Sequence, residues 1–217
     1  EALPFAGGQI IDGFRVVYAS VVYQALEGPP SVGPDEPPLV VAVEDFGDPC
    51  AADPTATHFP RLPNAIAEGN EIAQLLGVRP LLGGEAITTN VLRHQRPSIL
   101  HIASHGFYCD RQLHVPVEAR QGYAVFESVS PGSILPDVGI ALHGINEALV
   151  AANKDPSTAD LGEQVLSFEA IRSWDLSGTR LVVLSSCESG LGEIRHGDGN
   201  RALSRAFAAA GARSTVV

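Results

Sequence analysis

The sequence has no methionine, not even at position 1, where Glu1 stands. A translated chain starts with methionine, so the expectation is a processed product or a piece cut from a longer reading frame. Also missing is any apolar run near the ~20 residues that a membrane-spanning helix needs, which argues against a spanning segment. Bases are scarce: 14 Lys and Arg stand against 25 Asp and Glu, a formal charge of −11. They form no stripe, whereas a nucleic-acid binder needs a basic face to neutralise phosphates. Neither nucleic acid nor membrane is therefore expected as a partner. The acid excess favours solubility and would attract basic peptide segments. Cysteine is limited to Cys50, Cys109 and Cys187. An odd number cannot pair off completely, the spacing fits no zinc motif, and no secretory signal precedes them. The expected setting is reducing and cytoplasmic, which leaves room for one working thiol.

What is present is the composition of a globular protein. Of 217 residues, 45% are apolar and 18% charged, which excludes wholesale disorder. A chain this long buries roughly 70% of its unfolded surface. Strand and helix patterns alternate along it. Phe14 to Tyr23 begins as a strand, and the five prolines between Gly28 and Pro38 mark a loop. Leu39 to Val43 reads as a buried strand that exits through Asp45-Phe-Gly-Asp-Pro49. From Pro63 to Gly77 apolar residues recur at helical spacing, with Gly77 as the C-terminal cap. Leu81-Leu82 is a short strand, and Thr88 or Thr89 caps a short helix that stops before Pro97. Ser98 to Ala103 is a strand. The stretch from Asp110 to Gly162 is the least legible, with a strand at Tyr123 to Phe126 and a helix at Asn146 to Asn153. Lys154 to Thr158 reads as a loop and Phe168 to Trp174 as a short helix. Arg180-Leu-Val-Val-Leu184 is apolar on both faces, as strands inside a parallel sheet are. Asn200 to Ala210 is a helix capped by Gly211, and Ser214 to Val217 starts a further strand. The pattern predicts an α/β fold.

In open α/β sheets, reactive groups sit beyond the carboxyl ends of the central strands. One strand here ends in Ile102-Ala-Ser-His105-Gly106 and another in Leu184-Ser-Ser-Cys187-Glu-Ser-Gly190. If the two strands are neighbours, His105 and Cys187 face each other across one rim. An imidazole beside a thiol lowers the thiol pKa and later protonates a leaving group. The backbone N–H groups of Gly106 and Cys187 could hold a developing oxyanion. The plainer readings are a buried cysteine acting as a small hydrophobe and a hydrogen-bonded structural histidine.

Three blocks carry a resemblance to a known family. They are Ile99-Leu-His-Ile-Ala-Ser-His-Gly106, Leu181-Val-Val-Leu-Ser-Ser-Cys-Glu-Ser-Gly-Leu-Gly192 and the stretch from Gly197 to Val216. They resemble the CHAT family of caspase-like proteins, which stands with caspases, separases and gingipains. Weaker similarity runs through Arg15 to Leu26, Leu39 to Asp48, Leu62 to Leu76 and Ala86 to Leu92. The resemblance implies a caspase-like three-layer α-β-α sandwich with a mostly parallel central sheet, a single domain over residues 1–217. It implies a cysteine endopeptidase with His105 and Cys187 as its catalytic pair and Gly106 in the oxyanion hole. Ser185, two residues before the cysteine, would line the primary specificity pocket and is small and neutral. No metal or organic cofactor is implied, and the partner is a protein or peptide substrate. Family members often follow helical-repeat arrays, which such a chain would have on its N-terminal side. CHAT chains also continue past the last strand into a Leu-Trp segment carrying an acidic residue. This sequence ends at Val217, so the domain is expected to be incomplete at that end.

Other candidates are weaker. His101 and His105 are four apart, but on a strand that separates them by about 13 Å, and no acidic ligand accompanies them in sequence. Asp198, in Gly197-Asp-Gly199, is a helix N-cap before it is a substrate contact. Glu188 would raise the thiol pKa if close, so it is expected to face solvent. Trp174 and Asp175 read as structural. The glycines from Gly190 to Gly199 lack the Gly-Lys-Ser/Thr ending of a phosphate loop. Two readings compete with the peptidase. One is a CHAT-like interaction module without catalysis. The other, an α/β-hydrolase type, wants a glycine where Ser185 stands.

Overall fold

Runs of apolar residues with no polar alternation form the central strands, because both faces of such a strand must be covered. The computed structural model describes residues 37–47, 58–108, 135–155, 157, 160–185 and 197–216. The chain divides into two units, Glu1–Pro30 and Ser31–Val217, and every described residue belongs to the second. In chain order the elements begin with β1 (Leu39–Ala42), α1 (Ala65–Leu76), β2 (Leu81–Leu82), a 3₁₀ turn at Gly83–Glu85, and α2 (Thr88–Leu92). Next come β3 (Ile99–Ala103), β4 (Gly106–Tyr108), β5 (Val138–Ala141), α3 (Ile145–Lys154) and β6 (Val165–Ser167). The last are α4 (Phe168–Arg172), β7 (Leu181–Ser185), α5 (Gly197–Ala209) and β8 (Thr215–Val216).

Five strands form one sheet in the order β2-β1-β3-β7-β8, and every neighbouring pair is parallel. A smaller antiparallel sheet has the order β4-β5-β6. The register places Val40, His101 and Val183 in one row of the large sheet, and Ala42, Ala103 and Ser185 in the next. Both rows share the face covered by α1. There Gly69 comes so close to the sheet that a Cβ would stand 2.6 Å from the Ala42 Cβ. The opposite face carries Ile102 and Leu184 against Leu203 of α5. The layers are therefore helix, parallel sheet, helix, as expected of an α/β fold. Val40 and Val41 are fully buried, and burying a valine side chain stabilises by about 1.5–3 kcal/mol.

Several local expectations change. Thr88 is not a cap but the first residue of α2, and its hydroxyl donates to the Val165 carbonyl at 3.0 Å. The end of α2 is closed from a distance by Glu163. Its carbonyl accepts from Thr88 N at 2.9 Å and its carboxylate from Thr89 N at 3.1 Å. Helix α5 starts at Gly197 rather than Asn200, so Asp198 lies in its first turn and not at the N-cap. Strand β7 is apolar from Leu181 to Leu184 but only half-buried on the face of Leu181, Val183 and Ser185, because α1 lies over β1 and β3. The strands expected at Phe14 and at Tyr123 to Phe126 lie outside the described residues. Of the loop expected at Lys154 to Thr158, Pro156 and Thr158 also lie outside them, and Lys154 belongs to α3.

Candidate active site

Strands β3 and β7 are neighbours, with Ala103 paired to Ser185. Beyond that pair the Ser104 N–H donates to the Ser185 carbonyl at 3.3 Å. Both strands thus end at the same carboxyl rim. His105 follows Ala103 by two positions and Cys187 follows Ser185 by two. Cys187, like Cys50 and Cys109, lies outside the described residues, as do Glu188, His114 and His196.

His105 stands where the chain leaves the parallel sheet for the antiparallel one. The main chain is fastened on both sides of it. The Ser104 hydroxyl donates to the Ala141 carbonyl, and the Ala141 N–H donates to the His105 carbonyl at 2.8 Å. The imidazole Nε2 is 2.8 Å from the Pro60 carbonyl oxygen. A carbonyl only accepts, so Nε2 carries the proton and Nδ1 is left as the basic nitrogen. Two rings close around the imidazole, Phe46 at 4.8 Å and Phe59 at 5.9 Å between centroids. Burial pushes the His105 pKa below its ordinary value, and the bond to the Pro60 carbonyl pulls it partly back. A neutral imidazole with an unprotonated Nδ1 is the form a general base needs near neutral pH.

Gly106 opens β4 opposite Ile140. In an antiparallel ladder, hydrogen-bonded and non-hydrogen-bonded pairs alternate. The bond from Ala141 N to His105 O makes Gly106–Ile140 a non-bonded pair, so the Gly106 N–H points away from β5. Ser185 ends β7 half-buried. Asp198 is placed by its backbone in α5, and its side chain lies outside the described part.

His101 is buried inside β3, 5% exposed, and does have an acidic neighbour. Glu68 Oε1 of α1 lies 3.0 Å from its Nε2, close enough for an ion pair although not aligned as a hydrogen bond. Burial lowers the His101 pKa and the Glu68 charge opposes that. Among the described residues no three His, Cys, Asp or Glu side chains converge as metal ligands do. Trp174 donates from Nε1 to the His94 carbonyl at 2.8 Å. Asp175 accepts from Ser177 N at 3.0 Å and from the Ser177 hydroxyl. Both are structural contacts. His143 turns Nδ1 to the Asp45 carbonyl at 3.0 Å.

The groups that sequence reasoning missed are those around His105: Phe46, Phe59, the Pro60 carbonyl and the buried Asn146 that ties their segments together. The only signal for them was the strand-exit position of Phe46. Among the described residues no helix is long and apolar enough to cross a membrane. A family model described as the CHAT domain matches residues 5–217. No curated protein matches the chain.

Proposed function

Because the chain belongs to the CHAT domain family of caspase-like proteins, we propose that it is a cysteine endopeptidase acting on a protein substrate through Cys187 and His105. The observation that supports this most is the state of His105. It is held at the rim shared by β3 and β7, with Nε2 bonded to the Pro60 carbonyl and Nδ1 left basic.

In the reaction so read, Nδ1 takes the thiol proton of Cys187 as the sulfur attacks the scissile carbonyl carbon. Negative charge collects on the carbonyl oxygen, where the N–H groups of Gly106 and Cys187 receive it. The imidazolium returns its proton to the leaving amine, the C–N bond breaks, and a thioester remains on Cys187. Water, deprotonated by the same Nδ1, attacks that thioester and releases the acid and the thiol. The Pro60 carbonyl stabilises the imidazolium while it carries the second proton. These steps call on no cofactor. Ser185 and Asp198 are assigned to substrate binding, and the small neutral Ser185 offers no charge to pair with a charged substrate residue.

The test maps new protein termini produced by the full-length protein against its Cys187→Ala and His105→Ala variants. Termini present with the parent and lost in both variants support the reading. If Cys187→Ala cleaves as the parent does, the nucleophile is wrong; if the parent itself produces no new termini, the chain is a CHAT-domain interaction module.

A further inference from the structure

Two loops meet over His105, and one side chain joins them. Asn146, the second residue of α3, is 2% exposed. Its Oδ1 accepts from Phe59 N at 2.8 Å, and its Nδ2 donates to Phe59 O at 3.0 Å and Gly47 O at 2.8 Å. Its own backbone N–H donates to Phe46 O at 2.9 Å. Both side-chain N–H groups and the carbonyl oxygen are thus engaged. The partners are 87 and 99 residues away in sequence. Every partner is a backbone group, so the amide fixes the course of the main chain and not another side chain.

The two segments it ties are the ones that surround His105. Phe46 and Phe59 supply the rings, and the peptide after Phe59 leads to the Pro60 carbonyl that bonds Nε2. The 45–47 turn is itself set, with Gly47 at φ +90 and its N–H bonded to Asp45 Oδ1 at 3.0 Å. On the far side of Pro60 the segment is tied once more, by Leu62 N to Glu44 O at 3.0 Å. Pro60 is thus held from both sides, on one of them through Asn146 and the adjacent Phe59. We propose that Asn146 is a positioning residue for His105, its buried amide holding the segments at 46–47 and 59–60 that set the orientation and tautomer of the catalytic imidazole. The consequence for turnover rests on the peptidase reading, whereas the consequence for the imidazole does not.

The experiment therefore has readouts of both kinds. Long-range ¹H–¹⁵N spectra of the protein report which ring nitrogen of His105 bears the proton and where it titrates. The parent should hold the Nε2–H tautomer. In Asn146→Ala and in the milder Asn146→Ser it should become a mixture, with the midpoint moving up toward the ordinary histidine value as water reaches the ring. Peptidase kcat should fall about 10- to 100-fold with little change in KM, as for displacement of a reacting group by about an ångström. A folded variant that keeps the tautomer and midpoint overturns the proposal. If both variants unfold, hydrogen exchange in the parent decides. The Phe59 amide should be protected like the strand amides of β3, and exchange at the rate of an exposed loop overturns the clamp. Loss of activity in Cys187→Ala bears on the nucleophile alone, and an unchanged Cys187→Ala leaves the imidazole readouts standing.

Discussion

At Thr179 stability turns on a single atom, the hydroxyl oxygen. The residue is fully buried, and among the described residues its hydroxyl has no hydrogen-bond partner. Its backbone, by contrast, is bonded at both ends, from Thr179 N to Leu176 O and from Arg213 N to Thr179 O, both at 2.9 Å. An unpaired buried hydroxyl costs free energy that a methyl of the same shape does not. Thr179→Val should therefore raise stability by about 1 kcal/mol, read as a higher urea midpoint at unchanged slope. A fall in the midpoint would show that the hydroxyl has a partner. The same scale explains what was legible at the site. The place of His105 just past a central strand was legible, because a histidine-glycine after an apolar strand is a local pattern. Pro60 acts through a carbonyl that every residue possesses, and Asn146 acts on segments that only the fold brings near. Neither role leaves a mark on the neighbouring residues in sequence.

For elements, the legible features were those with a local cause. Helix α1 ends where expected, at Gly77, whose left-handed conformation turns the next N–H, of Val78, back to the Ala73 carbonyl at 3.0 Å. Helix α2 was placed correctly but its cap was not, because the groups that close it come from Glu163, 74 residues away. Strands β4, β5 and β6 are three or four residues long. So short a run shows no period, and their pairing is non-local. Packing between elements gives a prediction of its own. Gly69 lies in the middle of α1, where alanine would favour the helix by roughly 1 kcal/mol. Yet a Cβ there would overlap the Ala42 Cβ at 2.6 Å, with neither group free to swing away. Overpacking of that kind costs typically 1–3 kcal/mol. Gly69→Ala should thus be neutral to destabilising by about 2 kcal/mol, the difference of these two effects. A clearly stabilised variant would mean that α1 sits farther from the sheet. Gly139 makes the parallel case in the small sheet, where a Cβ would meet the Phe107 ring at 2.7 Å and Val165 at 3.0 Å. Gly139→Val should lower the thermal midpoint more than Gly69→Ala does, since more atoms enter a space already filled.

Across the whole molecule, the alternation of strands and helices foretold the parallel sheet, and the sheet put the ends of β3 and β7 side by side. It also drew two imidazoles out of water, and that has a consequence for global stability. Burial lowers the pKa of both His101 and His105, against the pull of Glu68 and of the Pro60 carbonyl. A group whose native pKa is depressed binds fewer protons in the native state than in the unfolded one. Its contribution is intact above the unfolded value of about 6.5 and is lost as pH falls through the native value. Unfolding free energy should then be level from pH 8 to 7 and decline below about 6.5, by at most ~1.4 kcal/mol per pH unit for each imidazole. Asp175 is also depressed, chiefly by the Ser177 hydroxyl, but a carboxylate acts near pH 4 and below and leaves this window to the histidines. Urea unfolding at pH 7.5, 6.5 and 5.5 measures the slope. His101→Leu should make it shallower, since that variant removes one of the two proton sites and leaves Glu68 near the surface. A parent whose stability is flat from pH 7.5 to 5.5 would mean that neither ring is desolvated as the fold implies. An unchanged slope in His101→Leu would instead assign the whole effect to the imidazole beside Pro60.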